Sequence, residues 1–186
     1  MAEDERPLGG CALAFDVRVI FGSAADVERL KPLWLGLHAI HQAVDPELAP
    51  HVDDETSWHR RRELYARCLA NPDSFLILVE RAERLIGYVV VTIEPDGDVL
   101  WNDTWVVGEK LAELETIYLV PEERGRGLGE KLLDRVDAEL ERRGIHDLVI
   151  GALPGNTGAL RLYERRGFLP AWTIMTRFAS RRGAGA

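Results

Sequence analysis

The stretch from Ala112 to Leu133 reads A-E-L-E-T-I-Y-L-V-P-E-E-R-G-R-G-L-G-E-K-L-L: an apolar strand, a glycine-rich turn and the start of an amphipathic helix. That order aims backbone N–H groups and a helix N-terminus at one point beyond the strand end, and such a point attracts phosphate. Gly125, Gly127 and Gly129 carry no Cβ, so a ligand can approach the main chain closely. Arg124 and Arg126 add planar cationic donors that suit phosphate oxygens. Away from such a turn, two arginines would be read as solvated surface charge. By physics alone this is a cradle for something phosphorylated.

The spacing narrows the ligand. Glu130 stands where a dinucleotide-binding G-x-G-x-x-G needs its third glycine, and the G-x-x-x-x-G-K-[ST] of a P-loop is absent. What remains is Arg124-x-x-Gly127-x-Gly129 after strand–Pro–Glu. Further on, Asn156-T-G-Ala159-L-R-Leu162-Tyr163-E-R-R-Gly167-Phe168 supplies a second signature. The first resembles the acyl-CoA motif of the GNAT N-acetyltransferase superfamily, and the second resembles that family's later N-x-x-A-x-x-L-Y-x-x-x-G-F. They stand in the family's order, about one βα unit apart. The resemblance covers the second half of the chain. The first half fits the family's layout without a specific motif.

The resemblance implies a fold and a donor. The fold is α/β (α+β): a mixed, mostly antiparallel central sheet flanked by helices, with a splayed pair of central strands. The donor is acetyl-CoA. Its pantetheine would lie along the strand, bonded to the backbone of Ile117, Tyr118 and Leu119, whose side chains read as core. Its diphosphate would lie over Arg124, Gly125, Arg126, Gly127, Leu128, Gly129 and Glu130. Asn156 would cap its helix and also touch the pantetheine end.

Tyr163 is the candidate acid. A phenol titrates near ~10 and a thiol near ~8.5, close enough for the hydroxyl to hydrogen-bond the departing sulfur and protonate it. Packing in the core is the alternative use of a tyrosine on this helix face. An attacking amine must also lose a proton. Glu113 and Glu115 lie two apart and are expected to share one face of their strand. Glu113 matches the family's base position by its distance from Arg124, and Glu115 is a step nearer the acetyl group. Either can be the base, and either can equally be a solvated charge at the strand end.

Trp101 and Trp105 flank N-D-T just upstream of this strand. They read either as a substrate wall able to hold an ammonium by cation–π contact or as packing under a loop. His38, His41 and Asp45 fall on one helix face, yet no further ligand at metal-binding spacing joins them, and no metal is expected. No nucleophilic triad is spelled out either, so no covalent enzyme intermediate is expected.

The elements that must position these groups follow from periodicity. The 186 residues suggest one domain, placed at 13–180 with loose ends at 1–12 and 181–186. Phe15 to Phe21 alternates as a strand, and Ala24 to Val44 is helical with a kink or restart at Pro32. Asp54 to Leu69 is a second helix, and Ser74–Glu80 with Arg84–Glu94 reads as a hairpin. Val99 to Glu113 is expected to be strand-like, leading into the strand Leu114–Val120. Then come the helix Gly127 to Arg143, the buried strand Asp147–Ala152, the helix Asn156–Arg166 and a final strand Phe168–Phe178.

With 23 basic and 31 acidic residues the net charge is −8, a poor balance for nucleic acid and mildly compatible with cationic amines. Cys11 and Cys68 make no disulfide framework, which points to a reducing cytoplasm. No secretory leader or membrane span is legible. The expectation is a cytoplasmic N-acetyltransferase, monomer or homodimer, moving acetyl from acetyl-CoA to a small-molecule or peptide amine. The alternatives are a non-catalytic CoA-binding sensor on the same fold, or transfer of a longer acyl group.

Overall fold

The structure is a computed structural model that describes residues 17–46, 48–95 and 103–179. Five strands form one sheet in chain order: β1 (Val17–Gly22), β2 (Phe75–Arg81), β3 (Arg84–Pro95), β4 (Lys110–Leu119) and β5 (Asp147–Ile150). The first four pair antiparallel, and β5 joins β4 in parallel. Helices α1 (Lys31–Val44) and α2 (Asp54–Cys68) precede β2. Helix α3 (Leu128–Arg142) crosses from β4 to β5, and α4 (Thr157–Arg165) follows.

Strands β2 and β3 are buried on both faces, which is why F-L-I-L-V and Y-V-V-V are continuous apolar runs rather than alternating ones. Opposite faces take opposite helices. Tyr65 of α2 bonds Tyr88 of β3 through their hydroxyls at 3.0 Å. Arg143 and Arg135, at the end and middle of α3, lie over Phe75 and Phe21. Phe75 pairs with Val91, three residues from Tyr88, so the two helices cover different sides. The apolar stripe of α3, with Leu132, Leu133, Val136 and Leu140, is buried in the same core.

Several boundaries follow local chemistry. Ala24–Leu30 is a 3-10 turn closed by a Ser23–Asp26 capping box, and α1 restarts at Lys31 with Pro32 in its first turn, where a missing N–H costs nothing. The β2–β3 hairpin turns on Ala82 and Glu83, both at positive φ (46° and 63°), without the glycine such a turn favours. Among the described residues no helix is long and apolar enough to cross a membrane.

Of two expected strands, Val99–Glu113 forms only from Lys110, with 99–102 outside the described residues, and Phe168–Phe178 does not form. Residues 103–109 are turn and irregular chain, so β4 begins only at Lys110. Residues 168–178 are irregular too, and Leu169, Ile174 and Met175 lie exposed. Alternation predicts a strand only where an edge accepts one, and β5 is four residues long and half-buried.

Candidate active site

The pairing of β4 changes along its length. Leu111 to Leu114 pair with Asp147 to Ile150, and there β5 ends. Residues 116–119 keep β3 on one side, and among the described residues 115–119 have no strand on the other. Ile117, Tyr118 and Leu119 lie in that open stretch. The Tyr118 ring is buried, tilted against Tyr88 with ring centroids 6.4 Å apart. The Tyr118 hydroxyl sits so close to α1 that a Cβ on Gly36 would come within 2.2 Å of it.

Glu115 is a bulge. Thr116 pairs with Val90 and Leu114 with Val91, so Glu115 has no partner residue on β3. The alternation expected to place Glu113 and Glu115 on one face is therefore interrupted between them. Glu113 is exposed. Glu115 is largely covered and accepts a hydrogen bond from Arg61 Nη1 on α2. One turn along α2, Tyr65 bonds Thr116 Oγ1 at 2.7 Å. Helix positions i and i+4 thus reach two consecutive strand residues, which a regular strand would point to opposite faces.

Arg61 is itself fixed. Its guanidinium carbon lies 4.0 Å from the centre of the Trp34 ring. His41 meets Trp34 edge-on, and burial, reinforced by the Arg61 charge, lowers the His41 pKa below the ordinary imidazole range. Sequence reasoning missed Arg61 and weighed His41 only as part of a metal-ligand face. The link from Arg61 to Glu115 is tertiary, across 54 positions.

Beyond β4 the chain makes a 3-10 turn, Pro121–Glu123, pinned by the buried Glu123 carboxylate against Arg81 at 2.9 Å. Gly125 and Gly127 follow at φ +72° and +77°, and a Cβ on either would meet nothing within 4 Å. Glycine is required there for the left-handed backbone, and the turn faces open space. Gly127 is the N-cap of α3 and no side chain caps the helix, so its first N–H groups remain available to an anion. Leu128 is buried beneath the turn. Gly129 lets α4 approach, since a Cβ there would stand 3.1 Å from a Leu162 methyl.

The charged groups around this turn are partly engaged. Arg124 folds back, donating from Nε to the Leu119 carbonyl at 2.9 Å with its guanidinium over Tyr118. Arg126 is exposed, 3.9 Å from Glu123. Glu130 pairs with Arg165 of α4 at 3.1 Å. Asn156 caps α4 as expected, accepting from the Ala159 N–H at 3.3 Å.

Tyr163 is buried on α4 with its ring 5.9 Å from Phe168, and burial pushes its phenol up to about 12. Trp105 is half exposed and meets Trp172, beyond α4, edge to face at 6.0 Å. Trp172 carried no signal in the sequence reading. Trp101 lies outside the described residues. His38 is turned to the Val52 carbonyl, 3.2 Å away, and among the described residues no group of three metal-ligating side chains comes together.

A sheet that parts along one strand and runs into a glycine-rich helix start leaves main-chain groups beside an anion-attracting turn. Residues 36–168 match the model of the acetyltransferase (GNAT) family, and the chain belongs to that family. It is 33% identical over 94 residues to an L-methionine sulfoximine/L-methionine sulfone acetyltransferase of Salmonella typhimurium, covering 47% of this chain and 54% of that protein. It is 28% identical over 141 residues to a mycothiol acetyltransferase of Thermobispora bispora, covering 76% and 43%. The chain thus spans about half the length of these curated relatives. Among solved structures, a GCN5-related N-acetyltransferase from Ralstonia eutropha superposes with a TM-score of 0.66 at 20% identity, over 88% of this chain and 99% of that one. A predicted acetyltransferase of Clostridium acetobutylicum, solved with acetyl-CoA, superposes with a TM-score of 0.60 at 18% identity, over 86% and 96%.

Proposed function

We propose that the chain is an acetyl-CoA-dependent N-acetyltransferase that moves an acetyl group to a primary amine by direct transfer in a ternary complex. The observation that carries this reading is the parting of β4 from β5 after Leu114 and Ile150. It leaves main-chain N–H and C=O groups of residues 115–119 without a strand on that side, and pantetheine carries two amides that need such partners once desolvated. The uncapped start of α3, with Gly125 and Gly127, receives the diphosphate.

In the transfer the amine nitrogen attacks the thioester carbonyl carbon. The C–N bond forms, the C–S bond breaks, and CoA leaves as thiolate. Main-chain N–H groups of the open strand stabilise the oxyanion. Holding both reactants side by side supplies much of the rate. The amine proton goes to Glu113 or Glu115, directly or through water. With its phenol near 12, Tyr163 stays protonated through the neutral range and offers its O–H to the sulfur. Trp105 lines the acceptor side.

The test is thiol release from acetyl-CoA with a panel of amines, alongside native mass spectrometry for bound CoA. Amine-dependent release with a stoichiometric CoA complex is expected. A CoA complex with no release for any amine would make the chain a sensor, and absence of a CoA complex would overturn the reading.

A further inference from the structure

A second concave site lies along α3, away from the glycine turn at its start. It is an open cleft of about 630 Å³ between the end of β1, the turn into β2 and the C-terminal half of α3. Arg135 stands seven residues and Arg142 fourteen residues past Leu128 along α3, so at 1.5 Å per residue the cleft begins about 10 Å from the diphosphate cradle and extends to about 20 Å.

Its walls combine two features. Phe21 and Phe75 meet edge to face at 6.1 Å, and a guanidinium lies over each ring: Arg135 at 4.6 Å from the Phe21 centroid and Arg143 at 4.9 Å from that of Phe75. Arg142 lines the same cleft. The only lining carboxylate, Glu139, is buried and committed, with Oε1 accepting from Arg143 Nε at 2.7 Å and both oxygens bound by Arg142. Together with the carbonyl end of α3, Glu139 offsets the charges of Arg142 and Arg143. Arg135, two turns earlier, is exposed and makes no hydrogen bond or ion pair among the described residues. Stacking on Phe21 fixes the plane of its guanidinium and leaves the edge donors for an oxyanion. Phe21 is 43% exposed, so an apolar ring face borders the cationic group. This cationic pocket stands on a chain of net charge −8.

We propose that this cleft is a second ligand site, separate from the acyl-CoA site, for a small aromatic oxyanion whose carboxylate or phosphate meets Arg135 and whose ring packs on Phe21. Neither half of such a ligand suffices. An exposed Arg–oxyanion pair alone is weak in water, and one ring edge buries little area.

The test is calorimetric titration of the purified chain with phenyl phosphate and with benzoate, each with and without saturating CoA. Inorganic phosphate and benzyl alcohol serve as half-ligands. Saturable binding is expected for at least one aromatic anion. CoA should leave it unchanged, and it should be at least tenfold tighter than for either half-ligand. Arg135→Gln and Phe21→Leu should each weaken it at least tenfold while the CoA affinity and the melting temperature stay near wild type. Both residues are exposed, so both variants should fold. No saturable binding, complete displacement by CoA, or equal affinity in both variants would overturn the proposal. Equal affinity for phenyl phosphate and inorganic phosphate would also overturn it, reducing the cleft to unspecific anion attraction. Because CoA binding is read separately, failure here is distinguishable from failure of the donor site.

Discussion

Arg61 of α2 donates to the carboxylate of Glu115, the one residue of β4 that has no partner on β3 over the bulged register. The bulge turns Glu115 toward α2, and Arg61, held flat on Trp34, occupies one of its oxygens. Glu113, two residues earlier, stands exposed. The two carboxylates are therefore in different surroundings, and single variants separate them.

If either carboxylate is the base, its Gln variant should lose kcat/KM most at low pH, where little amine is free, and recover in part as pH rises. Glu115→Gln should in addition cost about 1–3 kcal/mol of stability, because Arg61 loses its charged partner, while Glu113→Gln should leave the melting temperature within a few degrees. Rate profiles against pH with one active amine, read beside thermal melts, check this. Profiles parallel to wild type in both single variants and in the double variant would mean the amine deprotonates before it binds.

Tyr163→Phe keeps the ring against Phe168 and removes only the hydroxyl. A loss in kcat of about 10²-fold is expected, with CoA affinity near normal. Burial raises this phenol to about 12, so the wild-type rate should show no decline from its ionisation below about pH 11. An unchanged kcat with chemistry rate-limiting would leave Tyr163 a packing residue.

Gly127→Asp puts a side chain and a negative charge at the uncapped start of α3, in a left-handed conformation. Calorimetry should find CoA binding abolished, with a stability loss of only about 1 kcal/mol from backbone strain. Unchanged affinity in a folded variant would remove the turn from the donor site.

Glu139 is held down to about 2, first by its hydrogen bonds to Arg142 and also by those to Arg143. A depressed folded pKa stabilises above the unfolded carboxyl value of ~4.3, and the benefit is lost as pH falls through the folded one. Glu139→Gln should therefore cost about 1–3 kcal/mol at pH 7, a discounted figure because Arg142 is largely exposed. The gap to wild type should shrink between pH 4 and pH 2. Urea midpoints at pH 7 and pH 3 measure it.

Replacing Ala82-Glu83 by Asn-Gly should raise stability by about 1 kcal/mol, since both positions adopt positive φ. A lower urea midpoint at unchanged slope would show that this turn gains more from its own side chains than it loses in strain.

The local sequence determined the parts of this protein whose causes are local. Gly125 and Gly127 take left-handed backbone, Pro32 restarts a helix, Asn156 caps another, and the apolar runs of β2 and β3 are buried on both faces. Each of these is a property of a residue and its near neighbours. Tertiary structure alone decided the rest. The bulge at Glu115 depends on register with β3, so a period-two reading placed Glu113 and Glu115 on one face. Arg61 reaches Glu115 of β4 by helix packing, which no spacing in the chain announces. Arg124 lies back over Tyr118 because the strand end offers it a carbonyl and a ring. The alternating residues of 168–178 form no strand, because the short β5 ladder pairs them with nothing. Periodicity states what a segment is able to do, and partners brought close by folding decide whether it does so.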